Sequence, residues 1–172
     1  MATKNVKLGV YKVRDQIELP AYQTKGSACM DIAYSPFGKT HITVYGPNNT
    51  SVNRPIDMNN GKATVMPQER AMIPTGLILD IPEGFSVRLH MRSSVAFKEG
   101  LVLSNGEGII DSDYTDELYL LVWNTTNRKV ELLPGQRIAQ AELVAVEQMQ
   151  IETLKAAPKK KGDRTGGVGS TG

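Results

Sequence analysis

A chain of 172 residues, 40% hydrophobic and 22% charged, is long enough to build one domain around a real core. A formal charge of +2 excludes the broad basic field that grips nucleic acid, and the single cysteine, Cys29, excludes an intrachain disulfide and a cysteine-built zinc site. No apolar run is long enough to cross a membrane and the opening MATKNVKLGVYKVRDQ holds no signal-peptide core, so the expected setting is cytoplasm, a host's cytoplasm if the chain is viral, with no membrane or stable nucleic-acid partner.

Alternation with period two runs through the chain in order. Val6, Leu8 and Val10 begin it, followed by strand candidates at 30–35, 41–45 and 70–80. Phe85, Val87, Leu89 and Met91 then alternate with Ser86, Arg88 and His90, which predicts an outward His90. SSVAFKEG offers one short helix, and further strands are predicted at 117–123, 129–132 and 137–146. Turns such as GPNN, IPEG and LLPGQ separate them, which points to an all-β sandwich, jelly roll or barrel.

Two segments stand apart. Residues 38–62 are polar and turn-rich and read as a loop or a protruding hairpin. From about Ala156 apolar residues nearly vanish, so a domain over 1–155 is followed by a linker and tail over 156–172. The tail ends RTGGVGSTG. Such a composition is first of all that of a solvated chain end; it also suits an anion, because glycines free backbone N–H groups and Arg, Ser and Thr add phosphate donors, though one glycine-rich run alone is a weak signal.

The two histidines, His41 and His90, fall in different strands, which leaves acid–base work to a carboxylate or a water network. The most informative stretch is NGEGIIDSDYTDELYLLVWN, residues 105–124. Asp111 follows an apolar Ile109–Ile110 pair, and partial burial there would raise its basicity. A hairpin turn accounts for the same residues. A calcium loop does not, since its sixth position would be Asp116 rather than Gly and its twelfth Val122 rather than Glu. MRSSVAFKEGL places Arg92, Ser93 and Ser94 where a strand gives way to a helical turn, a place suited to an anion or to simple capping by Ser93 or Ser94.

Taken together, SACMDIAYS (27–35), MRSSVAFKEGL (91–101), NGEGIIDSDYTDELYL (105–120), PGQRIAQAEL (134–143) and RTGGVGSTG (164–172) resemble, in order, the motifs of the trimeric dUTPase family. The resemblance implies a distorted jelly roll of the β-clip type, a homotrimer with active sites at subunit interfaces, and hydrolysis of dUTP to dUMP and pyrophosphate with Mg²⁺ carried mainly by the triphosphate and water. It implies that Asp111 activates the attacking water. Asn105 and the backbone of Gly108, Ile109 and Ile110 would read the uracil, and Tyr114 would pack under the deoxyribose. Arg92, Ser93, Ser94 and Gln140 would hold phosphates, with Asp31 supporting the metal's water shell or the local structure. Arg164, Gly167, Val168, Ser170 and Thr171 would close a lid over the triphosphate.

The chain departs from the family at Cys29, where Gly is usual, and at Val168, where an aromatic residue covers the base. It departs again at Arg164, which only Thr165 separates from Gly166. Residues 38–62 are an insertion relative to compact members. Two other functions fit parts of the pattern: a dCTP deaminase of the same fold, and a nucleotide-gated protein-binding regulator using residues 38–62.

Overall fold

The structure, a computed structural model, describes residues 6–163 and Gly166. Among the described residues twelve strands are linked by antiparallel pairing: β1 Gly9–Lys12, β2 Met30–Ala33, β3 His41–Tyr45, β4 Ser51–Pro55, β5 Ala63–Val65, β6 Arg70–Asp80, β7 Phe85–Met91, β8 Leu101–Leu103, β9 Gly108–Ile110, β10 Glu117–Asn124, β11 Val130–Leu132 and β12 Arg137–Ala145. A six-stranded sheet runs β4-β3-β6-β10-β8 with β1 also on β6; a four-stranded sheet runs β2-β12-β7-β9; β11 pairs with β5. The alternating apolar residues of these sheets meet in one core, where Ile32, Tyr34, Val44, Ile73, Leu120 and Ile138 are wholly buried. Buried Tyr34 keeps its hydroxyl satisfied by donating to the Gly61 carbonyl at 2.9 Å.

The expected helix is a single π-helical turn, Val95–Glu99. Ser94 makes no side-chain cap, and the N–H groups of Val95 and Ala96 are engaged by the Arg92 carbonyl at 3.0 Å. The consecutive free donors expected there are therefore partly spent inside the turn.

Residues 38–62 are no peripheral loop. β3 and β4 form a hairpin whose inner residues Ile42 and Val44, with Ile56 after it, belong to the core. β3 pairs with the start of β6, matching Thr43 to Met72 and Tyr45 to Arg70. Arg54 on β4 ties the hairpin down, through an ion pair with Glu69 and a bond to the Thr64 carbonyl at 3.2 Å.

Strand β6 breaks step with β10 between Glu117 and Tyr119. Pro74, opposite Tyr119, has no N–H to give the ladder. Side chains substitute for the missing bonds: Thr75 Oγ1 donates to the Leu118 carbonyl at 2.6 Å, and the Gly76 N–H donates to Glu117 Oε1 at 3.0 Å. Gly76 has φ +67 and lies against Ile17, which only a residue without Cβ tolerates.

Candidate active site

A pocket of about 270 Å³ opens beside β9. Asn105, Gly108, Ile109, Ile110, Asp111 and Tyr114 all line it. Their arrangement follows from local chain geometry. Residues 104–107 turn between β8 and β9, with Gly106 N–H on the Leu103 carbonyl at 3.0 Å. β9 pairs with β7, placing Gly108 opposite Leu89 and Ile110 opposite Val87. A Cβ on Gly108 would lie 2.9 Å from the Leu89 Cβ, so the glycine lets the pocket floor approach that strand. A second turn closes after β9, with Tyr114 N–H on the Asp111 carbonyl at 3.2 Å.

The apolar pair before Asp111 is not buried. Ile109 is 52% exposed, Ile110 is half-buried, and Asp111 is exposed. Among the described residues β9 is an edge strand, paired only with β7, and its residues line the pocket. Asp111 is therefore exposed rather than partly buried as its apolar neighbours suggest.

Sequence reasoning missed the rest of the lining, Met72, Leu89, Leu103, Tyr119 and Leu121. One signal was present. In ELYLLVWN both faces of the strand are apolar, and a strand apolar on both faces is one that something covers on both faces. Tyr114 donates its hydroxyl to the Glu117 carbonyl at 2.8 Å. Burial, then the neighbouring Asp116, Tyr119 and Glu117, push its phenol pKa up, which keeps it a donor at neutral pH. Tyr119 bonds to Lys39 at 2.7 Å and to Glu117 Oε2 at 3.1 Å.

Arg92 and Gln140 gather elsewhere, around Asp31. Gln140 on β12 stands between Asp31 on β2 and His90 on β7. The Asp31 carboxylate meets Arg92 Nε at 3.3 Å and Arg137 Nη1 at 3.1 Å. Its Oδ2 is buried and makes no geometrically formed hydrogen bond. Arg92 also donates to the Arg137 carbonyl at 2.9 Å. Ser93 and Ser94 are exposed at the start of the π-turn. None of these residues lines the β9 pocket.

His90 is half-exposed rather than free, with Nε2 at 3.1 Å from Glu142 and 3.8 Å from Glu107. Arg164, Gly167, Val168, Ser170 and Thr171 lie outside the described residues. Among the described residues no cluster of three or more His, Cys, Asp or Glu could hold a metal ion, and no helix is long and apolar enough to cross a membrane.

Known proteins with this pattern are many. The dUTPase family model matches residues 58–172. A deoxyuridine 5'-triphosphate nucleotidohydrolase of Rhizobium rhizogenes is 34% identical over 157 residues, covering 91% of this chain and 86% of the relative. A Staphylococcus bacteriophage 80alpha dUTPase variant solved with dUpNHpp superposes with TM-score 0.73 at 20% identity, covering 96% of this chain and 98% of that one. A dUTPase variant from phage phi11 of S. aureus, solved with a structural Mg(II) ion, superposes with TM-score 0.68 at 19% identity, covering 90% of this chain and all of the other. The motif order, the hairpin pocket and the matched span agree: this chain belongs to the dUTPase family.

Proposed function

We propose that the chain is a dUTP diphosphatase, hydrolysing dUTP to dUMP and pyrophosphate, which limits uracil in DNA and supplies dUMP for dTMP synthesis. The observation that carries the reading is the pocket bounded by Asn105, Gly108, Ile110, Asp111 and Tyr114. It pairs a polar turn with apolar walls, as small-molecule sites do.

The base enters beside β9, where Asn105 and the main chain of Gly108 to Ile110 offer donors and acceptors to its edge. The Tyr114 ring bounds the sugar and leaves no room for a 2′-hydroxyl. Asp111, at the pocket mouth, accepts the proton of the water that attacks the α-phosphorus. Arg92, Ser93, Ser94 and Gln140 bind the triphosphate, with the tail residues Arg164, Gly167, Ser170 and Thr171 closing over it and Val168 covering the base.

Asp111 and Arg92 belong to different ends of β7, so one substrate reaches both only when a second copy supplies one of them. This supports a homotrimer with shared sites. In this reading Mg²⁺ is carried mainly by the substrate and water, and Asp31, whose Oδ1 faces Arg92 and whose buried Oδ2 faces Arg137, would support the metal's water shell or the local structure. Bound Mg²⁺ supplies neutralisation of triphosphate charge.

The test is pyrophosphate release from dUTP, dCTP, dTTP and UTP with Mg²⁺, run on wild type and Asp111→Asn. Selective turnover of dUTP, lost by about 10²–10⁴-fold in the variant, is the expected result. Ammonia release from dCTP would assign a deaminase instead.

A further inference from the structure

We infer that Lys39 is a positioning residue for the nucleoside pocket, holding Tyr119 directly and Tyr114 through Glu117; the inference rests on the dUTP reading above. Lys39 lies outside the span matched by the family model and belongs to none of the motifs. It precedes β3, where its N–H bonds to the Pro36 carbonyl at 2.8 Å and fixes the turn that aims its side chain at β10.

The contacts form a closed set. Lys39 Nζ lies 2.6 Å from Glu117 Oε2 and 2.7 Å from Tyr119 Oη, and Tyr119 Oη lies 3.1 Å from the same Glu117 oxygen. A phenol has one proton, so the ammonium donates to Tyr119 and Tyr119 donates to Glu117. The other Glu117 oxygen accepts from Gly76 N–H at 3.0 Å, and the Glu117 carbonyl accepts from Tyr114 Oη at 2.8 Å. One cation thus fixes two tyrosines, and both rings line the pocket.

Backbone pairing does not do this job. β10 and β6 lose register between Glu117 and Tyr119, where Pro74 has no N–H to offer. The side-chain bonds replace the ladder, and the ion pair anchors them. Its side chains are 30% and 12% exposed, so solvent does little to substitute for a lost partner. Burial alone would lower the Lys39 pKa, but the bonds to Glu117 and Tyr119 outweigh it and the net shift is upward, which keeps the anchor charged. The polar stretch 38–62 therefore contributes to the site through its second residue.

The experiment compares wild type, Lys39→Met, Tyr119→Phe and the double variant by steady-state kinetics on dUTP and UTP, with Tm measured alongside. Lys39→Met keeps the aliphatic stem and removes the charge. Expected is a rise of about tenfold in KM for dUTP, the scale of one lost charge-assisted bond, with kcat changed less. The dUTP-to-UTP ratio of kcat/KM falls in parallel because Tyr114 loses its support. Tyr119→Phe shifts both in the same direction, and the double variant is no worse than Lys39→Met, since the groups act as one unit. If Lys39→Met does not fold, Tyr119→Phe, which keeps the ring, carries the same test. A Lys39→Met protein of lowered Tm with KM and selectivity within about twofold of wild type overturns the inference, as does simple additivity in the double variant. A wild type inert on dUTP overturns both readings; an active wild type with an unmoved variant overturns this one alone.

Discussion

Arg92 and Asp111 stand at opposite ends of one strand. Ile110 pairs with Val87 near the start of β7, Asp111 and Ser86 line a common cleft, and Arg92 follows the last residue of β7, Met91. At the rise of a strand, Ser86 to Arg92 spans roughly 20 Å, longer than a triphosphate. If both serve one substrate, two copies build each site. Two inactive variants should then complement. Asp111→Asn and Arg92→Ala chains, mixed one to one in denaturant and refolded together, should regain about one quarter of wild-type sites, because that fraction joins an intact Asp111 to a neighbour's intact Arg92. Absence of any recovery, with mixed oligomers confirmed by mass spectrometry, would place both residues in one subunit's site or remove one from it.

Tyr114 makes a second test. Its hydroxyl is spent on the Glu117 carbonyl, so its ring is held as a wall rather than offered as a donor. Tyr114→Ala should lower the dUTP-to-UTP ratio of kcat/KM by tenfold or more, about the discrimination one removed steric contact provides. Tyr114→Phe keeps the ring and should move that ratio far less. Equal ratios in all three proteins would locate sugar selection elsewhere.

Much of this fold is legible in the sequence because alternation survives wherever one face is buried. β2, β3, β6, β7, β10, β11 and β12 all lie at predicted stretches. β4 gives no such signal, since four of its five residues are exposed. β8 and β9, three residues each, are too short to show a period. The pocket was half legible for a similar reason. Asn105 to Tyr114 are contiguous and form their own turns. Met72, Tyr119 and Leu121 arrive from strands that only sheet order makes neighbours, and the Lys39–Tyr119 bond joins residues 80 apart. Exposure at Ile109 and Asp111 was misjudged because an edge strand and a central one share one composition.

The hairpin's place in the core carries a stability prediction. Ile42 is 2% exposed between β4 and β6. Ile42→Ala should cost about 2–5 kcal/mol, and replacing residues 40–60 by a Gly/Ser turn should cost more, because Val44 and Ile56 go with it. Chemical denaturation checks both. A stable, active chain lacking the hairpin would show that the remaining core closes without it.

Glu69 makes a pH prediction. Burial pushes its carboxyl up, but bonds from Arg54 and the Met66 N–H and the Arg54 charge outweigh this, leaving its pKa below the ordinary 4.5. The unfolded chain therefore takes up this proton at a higher pH than the folded one. The contribution to stability is full above about pH 4.5 and is lost as pH falls through the depressed folded value. Glu69→Gln should lower Tm at pH 7 by the loss of about 2 kcal/mol and flatten the decline of Tm as pH falls below about 4.5. A parallel decline in both proteins would assign acid sensitivity to other carboxylates.

The last prediction concerns the tail. The last strand ends at Ala145, and after Val146, whose N–H bonds to the Gly84 carbonyl at 2.8 Å, residues 147–163 are exposed, with Met149 and Ile151 89% and 97% so. Beyond Lys161 the sequence offers one large apolar residue, Val168, among glycines and phosphate donors. A chain stopped after Lys161 therefore loses almost no burial and should keep its Tm. It should lose catalysis, because a tail that orders the triphosphate acts only when the triphosphate is present. We expect kcat on dUTP to fall by about 10²-fold, the cost of a misplaced reacting group, while binding of dUMP stays within about twofold of wild type. The contrast between the two ligands is what makes the result specific. A general loosening of the site would weaken dUMP as well, and full activity on dUTP would make the tail a solvated chain end with no part in the reaction.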